Sequence, residues 1–333
     1  MKSKPFISFC IPTYNRSYKA SELVKNILLY EDDNIEVVVL DNCSTDETKL
    51  LFSNIKDSRL RFISNSENIG GILNVLKVVA EAKGEYSILC LDKDYINYKE
   101  ISSLINHLKD NKDILFGYCS LNLDSSYPNK LFEKGFSSVL NMAYQSKHPS
   151  GNFYKTEAYK NSRKLVEMIN NNSKFEFNFD LINAEMAFLG KSLIINHPLF
   201  FTEKKVESAS IPSYTYNRNN LYFEPKRRHN EFGNYMSSVC ELDILEKEKI
   251  NLFKLLYAKG LSATTFMYKV FLSDNLVCLH HGIETRKVGY IELFRIDMSY
   301  SLFFLKKHLS ISFFRKCVIV INEHFRIFFN MIK

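Results

Sequence analysis

The chain has 333 residues, 46% of them hydrophobic and 24% charged, which suits one large domain or two unequal ones and excludes a disordered chain. Its net charge of +7 is unevenly spread, because residues 1–120 carry −2 and the remainder carries +9. No nucleic-acid-binding motif accompanies the positive excess, so we expect no nucleic-acid partner.

Targeting signals and membrane spans are not expected. The apolar run that starts at Phe6 is cut off at Pro12, too early for a signal peptide, and no stretch approaches the roughly 18 apolar residues of a membrane span. The seven cysteines show no CxxC spacing, a pattern typical of reduced thiols in the cytoplasm rather than of a zinc site. The expected location is therefore cytoplasmic.

Residues 1–120 alternate between short apolar runs and helical patterns. The runs are partly β-branched, as buried parallel strands are, and lie at Phe6–Ile11, Glu36–Leu40, Leu60–Ser64, Tyr86–Leu91 and Ile114–Tyr118. Apolar residues three and four positions apart mark the helices between them, at Leu23, Ile27 and Leu28 and at Ile72, Val75, Leu76 and Val79. This alternation predicts an α/β fold with a mainly parallel sheet and helices on both faces.

The rest of the chain divides into three stretches. From about 121 to 201 the pattern loosens, with one clear helix near Leu181–Leu189. A basic polar loop is expected over 203–228, and a helical C-terminal region over 229–333, with helices near Glu231–Lys249, Phe253–Leu272 and on either side of Ser310. We therefore expect a first domain over residues 1–202 that is followed by a loop and a helical region.

Three of the predicted strands deliver polar clusters to the same edge of the sheet. The first strand ends in Pro12–Arg16, the second in Asp41–Asp46 and the fourth in Asp92–Asp94. Ligands bind at the carboxyl ends of the strands in such sheets. This edge is therefore the expected functional site.

Asp92 and Asp94 form the sharpest of these signals. Two carboxylates one residue apart, directly after a buried strand, can hold Mg²⁺ or Mn²⁺ together with substrate phosphates and water. Lys93 between them points away from both in an extended chain. The plain alternative is an ordinary turn, where aspartate is common.

The first two clusters suit a nucleotide. Asp41 could accept a hydrogen bond from the imide N–H of uracil, since Ser44 and Asp46 already supply the turn and helix-capping roles. Tyr14 could flank the base and Arg16 could reach a phosphate. The alternative for Arg16 is a solvated arginine in the first turn of a helix.

Asn68–Gly71 precedes the third long helix and suits an anion. Its two glycines allow close backbone approach, and a helix N-terminus favours a group such as a diphosphate. The segment is not GxGxxG, and the absence of a GxxxxGK[ST] loop argues against a nucleotide triphosphatase.

Taken in order, these segments resemble the signature of glycosyltransferase family 2, whose members are inverting, nucleotide-sugar-dependent enzymes with the Rossmann-like GT-A fold. The resemblance rests on Pro12-Thr13-Tyr14-Asn15-Arg16, Asp41-Asn42-Cys43-Ser44-Thr45-Asp46, Asn68-Ile69-Gly70 and Asp92-Lys93-Asp94. It covers residues 5–120 strongly and 150–200 weakly. The sequence departs from the family at Tyr95, where a third acid often follows.

The resemblance implies a set of site residues. Asp94 and Asp92 would ligate Mn²⁺ or Mg²⁺. The nucleotide sugar, a UDP-sugar, would be contacted by Pro12, Thr13, Tyr14, Arg16, Asp41, Asn68, Gly70, Asn74, Asp92 and Lys93.

An inverting transfer also needs a general base on the acceptor side. The resemblance places this base in Phe177–Glu185, where Asp180 is the expected residue and Glu185 the second candidate. The family shows a Glu-Asp pair where this chain has Phe179-Asp180, and the alternative for Asp180 is a helix N-cap. Ser150–Tyr154 resembles the acceptor segment of the family, and we interpret His148 and His197 as structural.

The implied activity is a metal-assisted single displacement that moves a hexose or N-acetylhexosamine to a hydroxyl of a glycan acceptor. Residues 301–333 carry a net charge of +5 among seven phenylalanines, which suits an anionic membrane surface. That surface would place the enzyme on the inner face of the cell membrane, with a lipid-diphosphate-linked oligosaccharide acceptor, as in bacterial surface-polysaccharide synthesis. The alternative is a pair of helices packed on the domain with solvated charges.

Two other functions stay open from the sequence. A sugar nucleotidyltransferase also uses a parallel sheet and acidic metal ligands, but it would need a glycine-rich loop after the first strand, and Pro12–Arg16 has none. The second of these functions is a non-catalytic module that binds a nucleotide sugar. The intact pair of Asp92 and Asp94 argues against such a module.

Overall fold

Two seven-residue runs of buried side chains, Ile7–Thr13 and Ile35–Asp41, form neighbouring parallel strands of one sheet. They belong to a computed structural model that describes residues 4–121, 128–175, 177–201 and 221–332. The chain divides into two compact units, Met1–Glu203 and Lys204–Lys333.

The sheet of the first unit has nine strands among the described residues, in the order β3-β2-β1-β4-β8-β6-β9-β5, with β7 paired to β9. Strands β3, β2, β1 and β4 are parallel to one another, as are β6 and β9. The strands are β1 Ile7–Thr13, β2 Ile35–Asp41, β3 Leu60–Ser64, β4 Tyr86–Leu89, β5 Tyr95–Ile96, β6 Ile114–Leu121, β7 Lys130–Phe132, β8 Asn152–Lys155 and β9 Lys191–Phe201.

Eight helices of the first unit connect these strands. They are α1 Ser17–Leu28, α2 Thr48–Ser53, α3 Gly71–Ala80, α4 Ile101–Asp110, α5 Phe136–Met142, α6 Thr156–Lys160, α7 Arg163–Asn170 and α8 Asn178–Met186. The predicted helix near Leu181–Leu189 thus begins and ends three residues earlier.

Both faces of β1 are covered, because side chains on a strand alternate between faces and all of them here are buried. Ile7, Phe9 and Ile11 pack in one core with apolar residues of α1 and α4. Helix α3 also packs against β1. The expected α/β fold with a mainly parallel sheet is confirmed, and the strands that carry the polar clusters are its parallel ones.

The antiparallel strands β5, β7 and β8 were not expected. Each has only two to four residues, too few for a hydrophobic period to be visible in a sequence. The expected strand Tyr86–Leu91 ends at Leu89, so Asp92 and Asp94 lie in the turn that follows β4.

The second unit is helical, as expected. Its helices are α9 Pro225–Glu241, α10 Glu246–Thr264, α11 Phe266–Ser273, α12 Asn275–His280, α13 Tyr290–Lys306 and α14 Phe313–Ile332. The loop expected over 203–228 lies mostly outside the described residues, and Pro225 already begins α9. The predicted helix Glu231–Lys249 is wrong at its end, because the chain breaks at 242–245 and the Glu248 carboxylate accepts the Leu245 N–H at 3.1 Å to start α10.

Aromatic side chains join α10 to α13 in this unit. Tyr257 and Tyr300 stack with ring centroids 5.6 Å apart, and Tyr300 lies over Gly260, where an added Cβ would overlap its hydroxyl. Glycine at this position therefore permits the close approach of the two helices. None of the described helices combines the length and the apolar content that crossing a bilayer requires.

Candidate active site

The carboxyl ends of β1, β2 and β4 meet at one edge of the sheet, because β1 pairs in parallel with both neighbours. Thr13 ends β1 and donates its hydroxyl hydrogen to Oδ2 of Asp92 at 2.9 Å. Arg16 donates from Nη1 to Oδ1 of the same carboxylate at 2.9 Å. The structure thus brings together three of the expected site residues from two segments far apart in the sequence.

Asp92 is buried, and both of its oxygens are engaged. Burial raises the pKa of Asp92 above its ordinary value, while the charge and hydrogen bond of Arg16 and the hydroxyl of Thr13 oppose this rise. Arg16 is therefore not the solvated arginine of the alternative interpretation. Its expected contact with a phosphate stays a prediction.

Asp94 lies against the segment that precedes β8. Ser150 donates its hydroxyl hydrogen to Oδ2 of Asp94 at 2.5 Å and accepts the backbone N–H of Leu91 at 2.8 Å. Nδ1 of His148 lies 3.6 Å from the same carboxylate oxygen. Burial and the nearby charge of Lys93 lower the pKa of His148 to about 4, so His148 and Asp94 do not form an ion pair at neutral pH.

A cavity of about 250 Å³ adjoins the two aspartates. Lys93 lines this cavity with Asp92 and Asp94, and α1 closes it with Lys19, Glu22, Leu23 and Asn26. The extended chain on which the expected direction of Lys93 was based is therefore not present. Residues 92–94 form a turn rather than an extended strand, so alternation of side chains does not apply to them.

Asp41 lies at the end of β2 and is fully buried. Its Oδ1 accepts the backbone N–H of Ser44 at 3.0 Å, and its Oδ2 accepts the hydroxyl of Ser64 at 2.9 Å. Asp46 caps α2 through the Thr48 N–H, as expected, but the premise that Asp41 has no turn role is wrong. Contact with a uracil imide stays a prediction.

Four asparagines connect the ends of β2 and β3 to α3. Asn42 donates to Oδ1 of Asn68 at 2.8 Å, Asn65 donates to Oδ1 of Asn74 at 2.9 Å, and Asn74 donates to the Leu40 carbonyl at 2.9 Å. Asn74 is buried. Through these bonds it joins α3 to the end of β2 and to the residue that follows β3. The contributions of Asn42 and Asn65 were not predicted, because hydrogen bonds between separate loops leave no local pattern.

Gly70 precedes the N-terminus of α3. Its φ of +86° lies in the left-handed region that favours glycine, and a Cβ added there would meet nothing within 4 Å. Its N–H is donated to Oδ1 of Asn68 at 2.9 Å. The open space over Gly70 and Gly71 suits the expected anion, because the N-terminus of a helix favours negative charge.

Asp180 lies in the first turn of α8 and is buried. Its Oδ1 accepts the N–H of Gln145 at 3.0 Å, and its Oδ2 accepts the N–H of Ser146 at 2.8 Å. These residues begin the same segment that contacts Asp94 through His148 and Ser150. The structure therefore links the expected base to the expected metal ligand through one short piece of chain.

Glu185, the second candidate for the base, serves another element. Its carboxylate accepts the hydroxyl of Ser162 at 2.7 Å and the backbone N–H groups of Arg163 and Lys164 at 3.0 and 2.9 Å. It therefore holds the N-terminus of α7, where a negative charge is favoured.

The donor chemistry of this edge fits a divalent cation. No three His, Cys, Asp or Glu side chains converge on one point in the described ranges. Mg²⁺ is commonly held by one or two protein carboxylates, with water and substrate phosphates as its other ligands. Asp94 with its neighbour His148 can supply such a small protein contribution.

Residues 8–173 match the model of the family described as Glycosyl transferase family 2. Curated relatives match part of the chain. Abequosyltransferase RfbV of Salmonella typhimurium is 34% identical over 113 residues, which are 32% of this chain and 34% of RfbV. The UDP-Glc:alpha-D-GlcNAc-diphosphoundecaprenol beta-1,3-glucosyltransferase WfaP of Escherichia coli is 30% identical over 124 residues, 36% of this chain and 48% of WfaP.

The chain spans only about a third to a half of the length of the curated relatives it matches. Solved structures cover more of it. Staphylococcus aureus TarS 1–349 in complex with UDP-GlcNAc has a TM-score of 0.52 and 15% identity, and the likeness covers 89% of each chain. The mannosyltransferase PcManGT of Pyrobaculum calidifontis, in complex with GDP-Man and Mn²⁺, has a TM-score of 0.51 and 14% identity over 98% of this chain and 87% of its own. At these identities the likeness concerns the fold alone.

Proposed function

Residues 8–173 belong to glycosyl transferase family 2, and on this premise we propose that the protein moves a hexose or N-acetylhexosamine from a UDP-sugar to a hydroxyl of a glycan acceptor, with inversion at the anomeric carbon. The GT-A fold expected from the sequence is confirmed by the likeness to glycosyltransferase structures such as TarS. The observation that carries the proposal is the convergence of Thr13 and Arg16 on Asp92, with Asp94 beside it, at the carboxyl edge of the parallel strands.

The donor would lie over the ends of β1 and β2. Thr13, Tyr14 and Arg16 bind the uridine in this proposal, with the buried Asp41 beneath them, and the diphosphate faces the open N-terminus of α3 at Gly70. Both WfaP, by its name, and TarS, in its complex, take UDP-sugars. The sugar then projects toward Lys93 and the cavity beside the two aspartates.

Asp94 would hold the Mn²⁺ or Mg²⁺ ion. When bound, such an ion neutralises charge on the departing nucleoside diphosphate. The chemistry of a carboxylate suits either ion, and PcManGT was solved with Mn²⁺. Asp92 was expected to share this role, but its oxygens are engaged by Arg16 and Thr13, so we assign it to holding the donor.

Asp180 would act as the general base. A carboxylate oxygen that accepts one backbone N–H keeps another lone pair, so Asp180 can still take the proton of an acceptor hydroxyl. The two N–H bonds from Gln145 and Ser146 orient the carboxylate. The hydroxyl oxygen then attacks the anomeric carbon, and the bond to the diphosphate breaks on the opposite face.

The acceptor in this proposal is a lipid-diphosphate-linked oligosaccharide of bacterial surface-polysaccharide synthesis. For two relatives, the printed names give acceptors linked by a diphosphate to undecaprenol, GalNAc(5)-diNAcBac in one and GlcNAc in WfaP. An acceptor of this kind lies in a membrane. We place residues 301–333 at the membrane surface on the cytoplasmic side, because α13 and α14 expose large apolar side chains, among them Phe294, Phe313, Phe314 and Phe325.

The proposal is tested by measuring UDP release and glycan product with a panel of UDP-sugars, Mn²⁺ and a GlcNAc-diphospho-lipid acceptor. Asp94→Ala should lower the rate by about a hundredfold or more, and chelation by EDTA should do the same to the wild type. Asp110→Asn, which changes an exposed carboxylate at the end of α4, serves as the matched control and should keep full activity. Full activity in EDTA would contradict the role of the metal.

The same assay separates the two other functions raised by the sequence. A sugar nucleotidyltransferase would consume a nucleoside triphosphate and release diphosphate instead of UDP. A non-catalytic module would bind a UDP-sugar and form no product with any acceptor.

A further inference from the structure

His148 lies beside Asp94, in the segment between α5 and β8. Its Nδ1 is 3.6 Å from Oδ2 of Asp94, which is too long for a hydrogen bond. The backbone N–H of Ser150 is donated to the same Nδ1 at 3.3 Å. Nδ1 therefore carries a lone pair, and the ring proton lies on Nε2. Two electron-pair donors, a carboxylate oxygen and an imidazole nitrogen, thus face each other with no proton between them.

This arrangement suits one shared cation. Two ligand atoms that each lie about 2.1 Å from an ion are about 3 to 4 Å apart, depending on the angle between them. The long bond from the Ser150 N–H is weak and can be given up to a cation. The ring of His148 is partly exposed, so an ion can reach it.

Asp92 does not compete for this place. Its Oδ1 bonds to Arg16 and its Oδ2 to Thr13, both at 2.9 Å and largely shielded from water. A cation bound by Asp92 would lie next to the positive charge of Arg16, whose Nη1 is 2.9 Å from Oδ1 of that carboxylate. This repulsion disfavours Asp92 as the second protein ligand, whereas Nδ1 of the neutral His148 offers a lone pair beside Asp94.

We infer that His148 Nδ1 and the Asp94 carboxylate together hold the divalent cation, and that this mixed nitrogen and oxygen pair makes the site prefer Mn²⁺ over Mg²⁺. The inference rests on the proposed function for the identity of the cation site. Imidazole nitrogen binds transition metals well, whereas Mg²⁺ prefers oxygen ligands. Ser150 supports the pair, because its hydroxyl fixes the Asp94 carboxylate and is itself fixed by Leu91.

The test measures metal binding without turnover. Mn²⁺ and Mg²⁺ affinities of the full chain are determined by electron paramagnetic resonance and by Mg²⁺ competition, with and without UDP. His148→Ala should weaken Mn²⁺ binding about tenfold or more and change Mg²⁺ binding much less, so the Mn²⁺ preference falls. His197→Ala is the matched control, since His197 bonds to Glu100 at 2.8 Å, and should leave both affinities unchanged.

A spectroscopic readout makes the assignment direct. Electron spin-echo modulation of the Mn²⁺-loaded wild type should show a coupled ¹⁴N nucleus that changes on ¹⁵N-histidine labelling and is lost in His148→Ala. Equal Mn²⁺ affinity in His148→Ala, an equal loss of Mn²⁺ and Mg²⁺ binding, or no nitrogen coupling in the wild type would each overturn the inference. Sugar transfer with no nitrogen coupling would defeat this inference alone, and nitrogen coupling in a protein that transfers no sugar would defeat only the proposed function.

Discussion

Two carboxylates of α8, Asp180 and Glu185, both accept backbone N–H groups, but they serve different parts of the first unit. Asp180 orients the segment that leads to His148 and Ser150. Glu185 holds the N-terminus of α7. The contacts of Asp180 thus lie beside the candidate site, where we propose that it acts as the base, whereas those of Glu185 stabilise a neighbouring helix.

Asp180→Asn should lower turnover by about a hundredfold to ten-thousandfold, because an amide cannot take the acceptor proton. UDP binding in the presence of Mn²⁺ should change by less than about twofold. Initial rates and the dissociation constant for UDP measure the two effects.

Glu185→Gln is the matched control for this prediction. It should lower the melting temperature by weakening the cap of α7, an effect worth about 1 kcal/mol, while the folded enzyme keeps its turnover. A large loss of turnover in Glu185→Gln with an unchanged melting temperature would move the base from Asp180 to Glu185.

At the scale of elements, a polar network joins α10, α13 and α14 in the second unit. His324 on α14 donates from Nδ1 to the Val320 carbonyl at 2.8 Å and from Nε2 to Asp297 on α13 at 2.9 Å. Ser301 donates to the same Asp297 and is bonded to Tyr257 on α10. Both nitrogens of His324 face acceptors, so the doubly protonated ring can satisfy both contacts.

We expect His324 to titrate above its ordinary pKa. Burial lowers this pKa, but the Val320 carbonyl and Asp297, with Glu323 nearby, raise it more, so the net shift is upward. Protonated His324 therefore stabilises the folded state. This stabilisation is complete below a pH of about 6.5, the pKa of histidine in the unfolded chain, and it is lost as the pH rises through the higher pKa of His324 in the folded protein. NMR titration of the histidines measures the pKa of His324, and Asp297→Asn should lower this pKa. An identical pKa in the variant would show that Asp297 does not hold the charge.

Some strands and helices of the structure could be predicted from the sequence, and others could not. The apolar runs of β1, β2 and β4 were visible because each of these strands is buried on both faces, and the polar residues after their ends followed. The short antiparallel strands carry no such run. The helix break at 242–245 was missed, because no glycine or proline marks it, and the start of α10 is set by one carboxylate, that of Glu248.

The candidate site was predictable only in part for a similar reason. Thr13, Arg16, Asp92 and Asp94 are marked by their place at the ends of strands. What was not predicted is the contact of Ser150 with Asp94, 56 residues away, and the bonds of Asp41 with Ser44 and Ser64. Contacts made only by tertiary packing leave no periodic or local signal in one sequence.

At the scale of the whole molecule, several of the basic side chains near the C-terminus bond to groups within the second unit. Arg315 pairs with Glu246, Arg326 pairs with Glu323, and Lys316 donates to the carbonyls of Leu305 and Lys307. Arg315 and Lys316 thus join α14 to α10 and to the end of α13, whereas Arg326 and Glu323 both lie on α14. The membrane proposal therefore depends mainly on exposed aromatic side chains, such as Phe314 at 75% and Phe325 at 57% exposure.

Vesicle sedimentation tests that proposal. The wild type should bind vesicles that contain an anionic lipid more tightly than neutral vesicles, and salt should weaken the difference. Phe314→Ser with Phe325→Ser should reduce binding by about tenfold or more, since each removes a large apolar side chain from the interface.

Leu245→Ser, which changes an exposed residue outside α13 and α14, is the control and should bind like the wild type. Equal binding of the double variant and the wild type would instead favour helices whose exposed faces have no lipid partner.

The segment from Ser146 to Ser150 has a consequence for the size of substrate that the site admits. Its first end is anchored to Asp180 and its last to Asp94, and four residues of chain can span at most about 14 Å. The distance between the proposed base, Asp180, and the proposed metal ligand, Asp94, thus has an upper limit set by the length of this loop, whatever the loop residues are. Lengthening this loop, rather than exchanging its side chains, is the change by which a bulkier acceptor could be admitted.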